Sequence, residues 1–387
     1  MPTDCISFRD TAFVSKLICD YVENRPELQS LYHRFPTLEN FKAQFEAKQS
    51  EFSSEKRSVL VAALSEQYTQ LKPSELTTQA IQSLGDENTF TVTTGHQLNL
   101  LGGPLYFLYK IISTINLAKE LKHKYPKNKF VPVFWMATED HDFEEINHFN
   151  FQNKRFQWSQ NTSGAVGVLD TSELSEFVTV FSNVLGDSIF ALQLKELVND
   201  AYLNHSNLAD ATRYLVHALF GDDGLLIIDG NDATLKRLFI PQITSEFKTQ
   251  QAYKSVSQTN QQITAIDVAY KIQVNPRELN LFYLKADLRE RIVKKESCFS
   301  VLNTDIQWDL KELLAEVESN PERFSPNVIM RPLFQETILP NLCYIGGGGE
   351  LSYWLQLKSY FDQEQITFPI LLHRNSVLLI RLIVKSF

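Results

Sequence analysis

A doubly wound α/β sheet interrupted by two smaller excursions is the fold this sequence predicts, on three observations. Short, fully apolar runs alternate with stretches of helical periodicity. Those runs end abruptly in glycine or in ionisable residues, as strands do when they deliver a loop to a ligand crevice. Over 89–136, strand, amphipathic helix and buried strand follow one another, which implies two parallel strands joined by a right-handed crossover.

Taken in order, residues 7–85 read as helices. Within them "SSEKRSVLVAALSEQYTQL" opens on serines suited to capping and carries Leu60, Ala63, Leu64 and Tyr68 at helical spacing. "TFTVTTG" is a strand ending in Gly95. "GPLYFLYKIISTINLAKELK" suits an amphipathic helix through Leu105, Leu108, Ile112, Ile115 and Leu117, with Pro104 near its first turn. "KFVPVFWMA" is the next strand. "KRFQWSQNTSGAVGVL" reads as a hairpin turning at 161–164, followed by a helical piece rich in Glu and Leu. "SNLADATRYLVHALF" is a capped helix that delivers the strand "GLLIIDG". Residues 260–310 look β-rich through "VAYKIQV", "LNLFYL" and "ERIVKKE", and "QITFPILLHRNS" gives a last buried strand. The expected organisation is a helical segment over 1–85, core over 86–150, a first insertion over 151–204, core over 205–259, a second insertion over 260–325 and core over 326–387. In this arrangement TTGHQ, ATEDHD, IDGND and LLHRNS project from one edge of one sheet.

The 387 residues, 43% of them apolar and 21% charged, suit a soluble globular protein. A net charge of −9 argues against a general binder of nucleic-acid backbone. No run reaches the roughly 18 apolar residues a membrane span requires, and no secretory leader is visible, so the expectation is a cytoplasmic chain. Cys5, Cys19, Cys298 and Cys343 are scattered without a CxxC pair, as expected of free thiols in a reducing compartment.

Three constellations carry chemistry. "TTGHQLNLLGGP" follows a strand and opens a helix; its glycines allow close backbone approach, and the orphan N–H groups of a helix start attract anions. Thr94, Gly95, His96, Gln97, Asn99 and Gly102 are its candidates, against the plain alternative of a Gly-rich turn with His96 satisfied locally. "ATEDHDFEEINH" offers Glu139, Asp140, His141 and Asp142 for proton transfer or ammonium recognition, against the commoner reading of acids at a helix start. Its spacing matches no metal motif, and no tightly bound metal is expected. "RPLFQETILPNLCYIGGGGELSYW" brings Arg331, four glycines and Glu350. Gly347, Gly348 and Gly349 read as an anion cradle, or as a hinge or close helix–sheet contact, and Cys343 as buried filler rather than a nucleophile. Arg277, Arg289 and Arg291 suit carboxylate or phosphate recognition, or a solvated β face.

Together, "TTGHQLNLLGGPLYFLYKIISTINLAKEL", "VPVFWMATEDHDFEEINH", "SPNVIMRPLFQETILPNLCYIGGGGELSYW" and "FPILLHRNS" resemble the BshC family of cysteine ligases, linked to bacillithiol biosynthesis, from the first helices to Ser376. The resemblance implies a Rossmann-like doubly wound parallel sheet with two connecting-peptide insertions, similar to class I synthetases and nucleotidyltransferases. It implies ATP as co-substrate with Mg²⁺, amide formation between the cysteine carboxyl and the amine of glucosaminyl-malate, and a C-terminal coiled coil that mediates a homodimer. His141, Asp140 and His96 are then the catalytic candidates; the remaining residues of the three constellations bind substrate or nucleotide. Two departures stand out. The ending "SVLLIRLIVKSF" reads as truncated or frame-shifted where the family continues into its coiled coil, which puts the homodimer in doubt. Residues 98–104 stand where class I relatives carry His-x-Gly-His; Gly102 is the candidate for its glycine, no histidine follows, and no KMSKS-like loop is present. The alternatives are a nucleotidyltransferase-like ligase for another amino acid or amine, and a non-catalytic nucleotide-binding remnant.

Overall fold

The structure is a computed structural model that describes residues 5–160, 162–296 and 298–377; the unusual C-terminal ending from residue 378 on and Asn161 lie outside the described residues. Among the described residues the strands are β1 (Thr89–His96), β2 (Lys129–Met136), β3 (His148–Phe151), β4 (Lys154–Gln157), β5 (Leu226–Asp229), β6 (Leu281–Lys285), β7 (Leu288–Lys295), β8 (Cys298–Val301), β9 (Gln307–Trp308), β10 (Phe324–Pro326), β11 (Asn341–Gly346) and β12 (Ile370–His373). Five of them form one parallel sheet in the order β12-β11-β1-β2-β5. Numbered by their succession in the chain, that order is 5-4-1-2-3, so the winding reverses between β1 and β11. This is a Rossmann-like α/β sheet, as expected.

Side-chain alternation explains why both faces are covered. On β2, Val131, Val133 and Trp135 join a core with Leu17, Leu60, Leu64, Phe239 and Phe334. Phe134 and Met136 point the other way, into a core with Phe107, Ile111, Leu215 and Ile227. The threonines of β1 are buried too. Thr91 and Thr93 donate to Asn341 Oδ1 at 3.2 and 2.9 Å, and Thr94 donates to the Ile345 carbonyl at 2.7 Å, so hydroxyls that would be orphaned in a core lock β1 to β11.

β1 and β2 pair in parallel register from Thr89↔Lys129 to His96↔Met136, with the helix Tyr106–Lys124 as their crossover. That helix buries Phe107, Lys110, Ile111, Ile115, Leu117, Ala118 and Leu121, whereas Leu105 and Ile112 face outward. The predicted helix is present and buries Ile115 and Leu117 of the expected stripe, but its first half turns Phe107, Lys110 and Ile111 inward in place of Leu105 and Ile112.

Two other expectations are corrected. The hairpin turns at Gln152–Asn153, both at positive φ (50° and 62°), and pairs β3 with β4, so it lies earlier than 161–164. "VAYKIQV" forms no strand. The Gln273 and Val274 amides donate instead to Gln356 Oε1 at 2.9 and 3.0 Å, and Gln356 Nε2 donates to the Val274 carbonyl at 2.7 Å, so one side chain takes the place of a neighbouring strand. The antiparallel sheet β10-β6-β7-β8-β9 follows this connection. Among the described residues no helix is long and apolar enough to cross a membrane.

Candidate functional site

Parallel strands deliver their loops to one edge, and a reversal of winding opens a crevice there. A cavity of about 640 Å³ occupies that place, lined by Gly95 and His96 from β1, residues 135–141 from β2 and its loop, Tyr344 from β11, and Phe282 and Arg289 from the antiparallel sheet.

Its floor is an ion pair across the reversal. Lys110, buried on the crossover helix, donates to the Gly95 carbonyl and lies 2.9 and 2.8 Å from the two oxygens of Glu350. Glu350 also accepts from the Tyr344 hydroxyl at 2.6 Å and from the Gly347 amide at 2.8 Å. Burial opposes the charge on both. At Glu350 it is outweighed by the Lys110 ammonium, the Gly347 amide and the Tyr344 hydroxyl, so the carboxyl titrates below its ordinary range; at Lys110 burial prevails and the ammonium titrates below its own. Beside this pair, the Arg331 guanidinium sits 5.8 Å from each of the Trp135 and Tyr344 ring centroids. It donates to Gln335 Oε1 at 3.0 Å and to the Tyr353 hydroxyl at 3.3 Å. Among the described residues it meets no carboxylate within 4.0 Å.

The opposite wall comes from the loop after β2. Glu139 pairs with the buried Lys236. Asp140 accepts from Gln97 Nε2 at 3.0 Å and from the His141 amide at 2.8 Å, with Arg289 Nη1 at 3.8 Å. Burial would raise the Asp140 carboxyl, but His141, Arg289 and Gln97 together hold it well below the usual range. Arg289, stacked 4.0 Å over the Phe282 ring, donates from Nη1 to His141 Nδ1 at 2.6 Å. A guanidinium can only donate, so Nδ1 is the acceptor and the ring proton belongs on Nε2. His96 packs its ring 5.5 Å from those of Tyr106 and Phe107. Burial, reinforced by Lys110, pushes it down to about 3, leaving a neutral imidazole near pH 7.

Of the sequence candidates, Gly95, His96, Gln97, Glu139, Asp140, His141, Arg277, Arg289, Arg331 and Glu350 line the cavity, and the others do not. Thr94 ties two strands together. Asn99 donates to the Glu145 carbonyl at 2.9 Å. Gly102 has φ +80°, and a Cβ there would fall 2.6 Å from the Phe107 ring, so glycine is required by packing. Asp142 caps the short helix Phe143–Ile146 by accepting from the Glu145 amide, which is the plain reading of an acid at that position. Gly347, Gly348 and Gly349 open the helix Gly348–Leu355, but the Gly347 amide already holds Glu350, so the protein's own carboxylate occupies part of the expected cradle. The buried Cys343 thiol is pushed well up by burial, unlike an activated nucleophile. Sequence reasoning missed Lys110, although a lysine one position before Ile111 and three after Phe107, on a buried face, was a usable signal. It ranked Arg289 too low, because a side chain reaching the site from the second sheet leaves no local pattern. Among the described residues no group of three or more His, Cys, Asp or Glu is placed to hold a metal.

Fold and site therefore define a Rossmann-like protein with a charged crevice at its topological switch point. Residues 1–375 match the family described as "Bacillithiol biosynthesis BshC, N-terminal Rossmann-like domain", and the chain belongs to the BshC family. It is 57% identical over 379 residues to a protein of Flavobacterium johnsoniae named "Putative cysteine ligase BshC", covering 98% of this chain and 71% of that protein. A protein of the same name from Cytophaga hutchinsonii is 42% identical, over 95% of this chain and 68% of its own length. One from Bacillus cereus is 32% identical, over 93% and 68%.

Proposed function

We propose that the protein is an ATP-dependent ligase that joins the carboxyl group of cysteine to the amine of glucosaminyl-malate. One observation carries this reading: an acidic chain concentrates cations at its crevice. Lys110, Arg277, Arg289 and Arg331 line the cavity against Glu139, Asp140 and Glu350, and Glu139 is further neutralised by Lys236. Such a lining favours anionic reactants, and the names of the relatives supply the ligase chemistry.

In the reaction the cysteine carboxylate attacks a phosphorus of ATP and displaces pyrophosphate from the α-phosphorus or ADP from the γ-phosphorus, and the amine then attacks the activated carbonyl carbon, expelling AMP or phosphate respectively. Guanidinium groups fixed by stacking stabilise the phosphate charge without having to reorganise. Arg289 is held over Phe282, so we assign the phosphates to it and to Arg277. Mg²⁺ would arrive on the phosphates, since Glu139 and Asp140 are both engaged with cations. The amine must shed a proton. Asp140 and His96 are depressed too far to hold one near pH 7, so we favour His141 as the acceptor, whose Nδ1 must exchange its contact with Arg289 for the proton of the amine.

ATP consumption measured with all three substrates, and with cysteine or glucosaminyl-malate omitted, tests the reading. Full turnover requires both, and His141→Ala slows it by about 100-fold or more. Turnover indifferent to the amine would favour a ligase for another acceptor, and ATP binding without turnover would favour a non-catalytic protein.

A further inference from the structure

We propose that Arg331 forms a subsite for one carboxylate on the floor of the cavity, separate from the place that takes the phosphates. The inference rests on the ligase reading for the identity of the ligand but on independent geometry for the site. Three other cations at this crevice have a carboxylate: Lys110 has Glu350, Lys236 has Glu139, and Arg289 lies 3.8 Å from Asp140. The exposed Arg277 has none within 4.0 Å among the described residues, and Arg331 has none either. The Arg331 guanidinium is nonetheless fixed, by Gln335 Oε1 on Nη1 and by the Tyr353 hydroxyl on Nη2, and it lies 5.8 Å from each of the Trp135 and Tyr344 ring centroids.

An immobilised guanidinium has five N–H donors, of which two are spent here, so three in-plane donors remain. A flat carboxylate can lie in the plane of a guanidinium edge and take a bidentate fork from it. The charge favours it. Arg331 offers one positive charge, with the Glu350 carboxylate near enough to repel a highly charged anion, which matches one negative charge and disfavours a triphosphate. The nearby helix start cannot add a full anion cradle, because Glu350 already holds the Gly347 amide. The carboxylate could belong to the malate part of the acceptor or to cysteine, and the two are separable by experiment.

Calorimetric titrations of the whole chain with L-malate, cysteine, inorganic phosphate and ATP, repeated on Arg331→Met and Arg331→Lys, decide the matter. The expected result is that malate or cysteine binds the native protein and loses about 30-fold or more in affinity in Arg331→Met. Arg331→Lys, which keeps the charge and lacks the planar fork, should weaken the same ligand and leave thermal unfolding near that of the native protein. Phosphate and ATP affinities should stay unchanged in both. Loss in the malate titration alone assigns the subsite to the acceptor, and loss in the cysteine titration alone assigns it to the amino acid. The proposal is overturned if neither carboxylate binds the native protein at millimolar concentration, if both bind the variants undiminished, or if ATP loses affinity in parallel. None of these titrations needs turnover, so a failed ligation assay with an Arg331-dependent carboxylate would remove the ligase reading and leave the subsite standing.

Discussion

At the scale of single residues, the site works by setting charge states through burial and close partners. His96 is the clearest case. Its folded value of about 3 lies below the ordinary imidazole value, so between the two the unfolded chain binds a proton that the folded protein refuses. The stability it contributes is fully present above about pH 6.5 and is lost as pH falls toward the folded value. Replacing it by Asn should flatten this dependence. Urea unfolding at about pH 6.5 and about pH 4 should show a smaller drop in stability for His96→Asn than for the native protein. An equal drop would mean that His96 titrates normally. Glycine, acid and histidine clusters at strand ends were legible in the sequence as candidates, each with a plain alternative in a turn or a helix start. Which members reach the cavity was not legible. Thr94, Asn99, Gly102 and Asp142 belong to packing and capping, and only the folded geometry separates them from His96, Gln97 and Asp140.

At the scale of elements, strand positions and the common edge followed from apolar runs ending in polar loops, and the βαβ unit followed from its order. The failures share one physical cause: local pattern yields to tertiary partners. The first half of the crossover helix turns Lys110 inward, because Glu350 and the Gly95 carbonyl satisfy the ammonium there. "VAYKIQV" has the composition of a strand, yet Gln356 meets its polar groups. This connection leads directly into Val274, Asn275 and Arg277, which line the cavity, so Gln356 fixes one wall of the site from behind. Its Nε2 also donates to Asn260 Oδ1 at 2.6 Å. Gln356→Leu strands two backbone amides and should cost about 2–4 kcal/mol in urea unfolding, with faster proteolytic cleavage within 268–277. Unchanged stability and cleavage would show that the connection is held by its apolar contacts alone.

At the scale of the whole molecule, the two edges of the sheet differ in their chemistry. The amino-terminal edge has a cavity of its own, about 820 Å³, bordered by Lys119, Lys122 and Lys129. Volume alone would favour it. Chemistry does not: Lys119 pairs with Asp223 at 2.6 Å, and Lys122 donates to the Pro126 and Asn128 carbonyls at 2.8 and 3.0 Å, all on exposed side chains. The carboxyl-terminal edge instead holds stacked, desolvated guanidinium groups at the point where the winding reverses. Equilibrium binding of ATP to the native chain, Arg289→Met and Lys119→Met separates the two edges most directly. Binding weakened about tenfold or more by Arg289→Met and unaltered by Lys119→Met is the predicted result. Binding that survives Arg289→Met and is lost in Lys119→Met would contradict the assignment of the site.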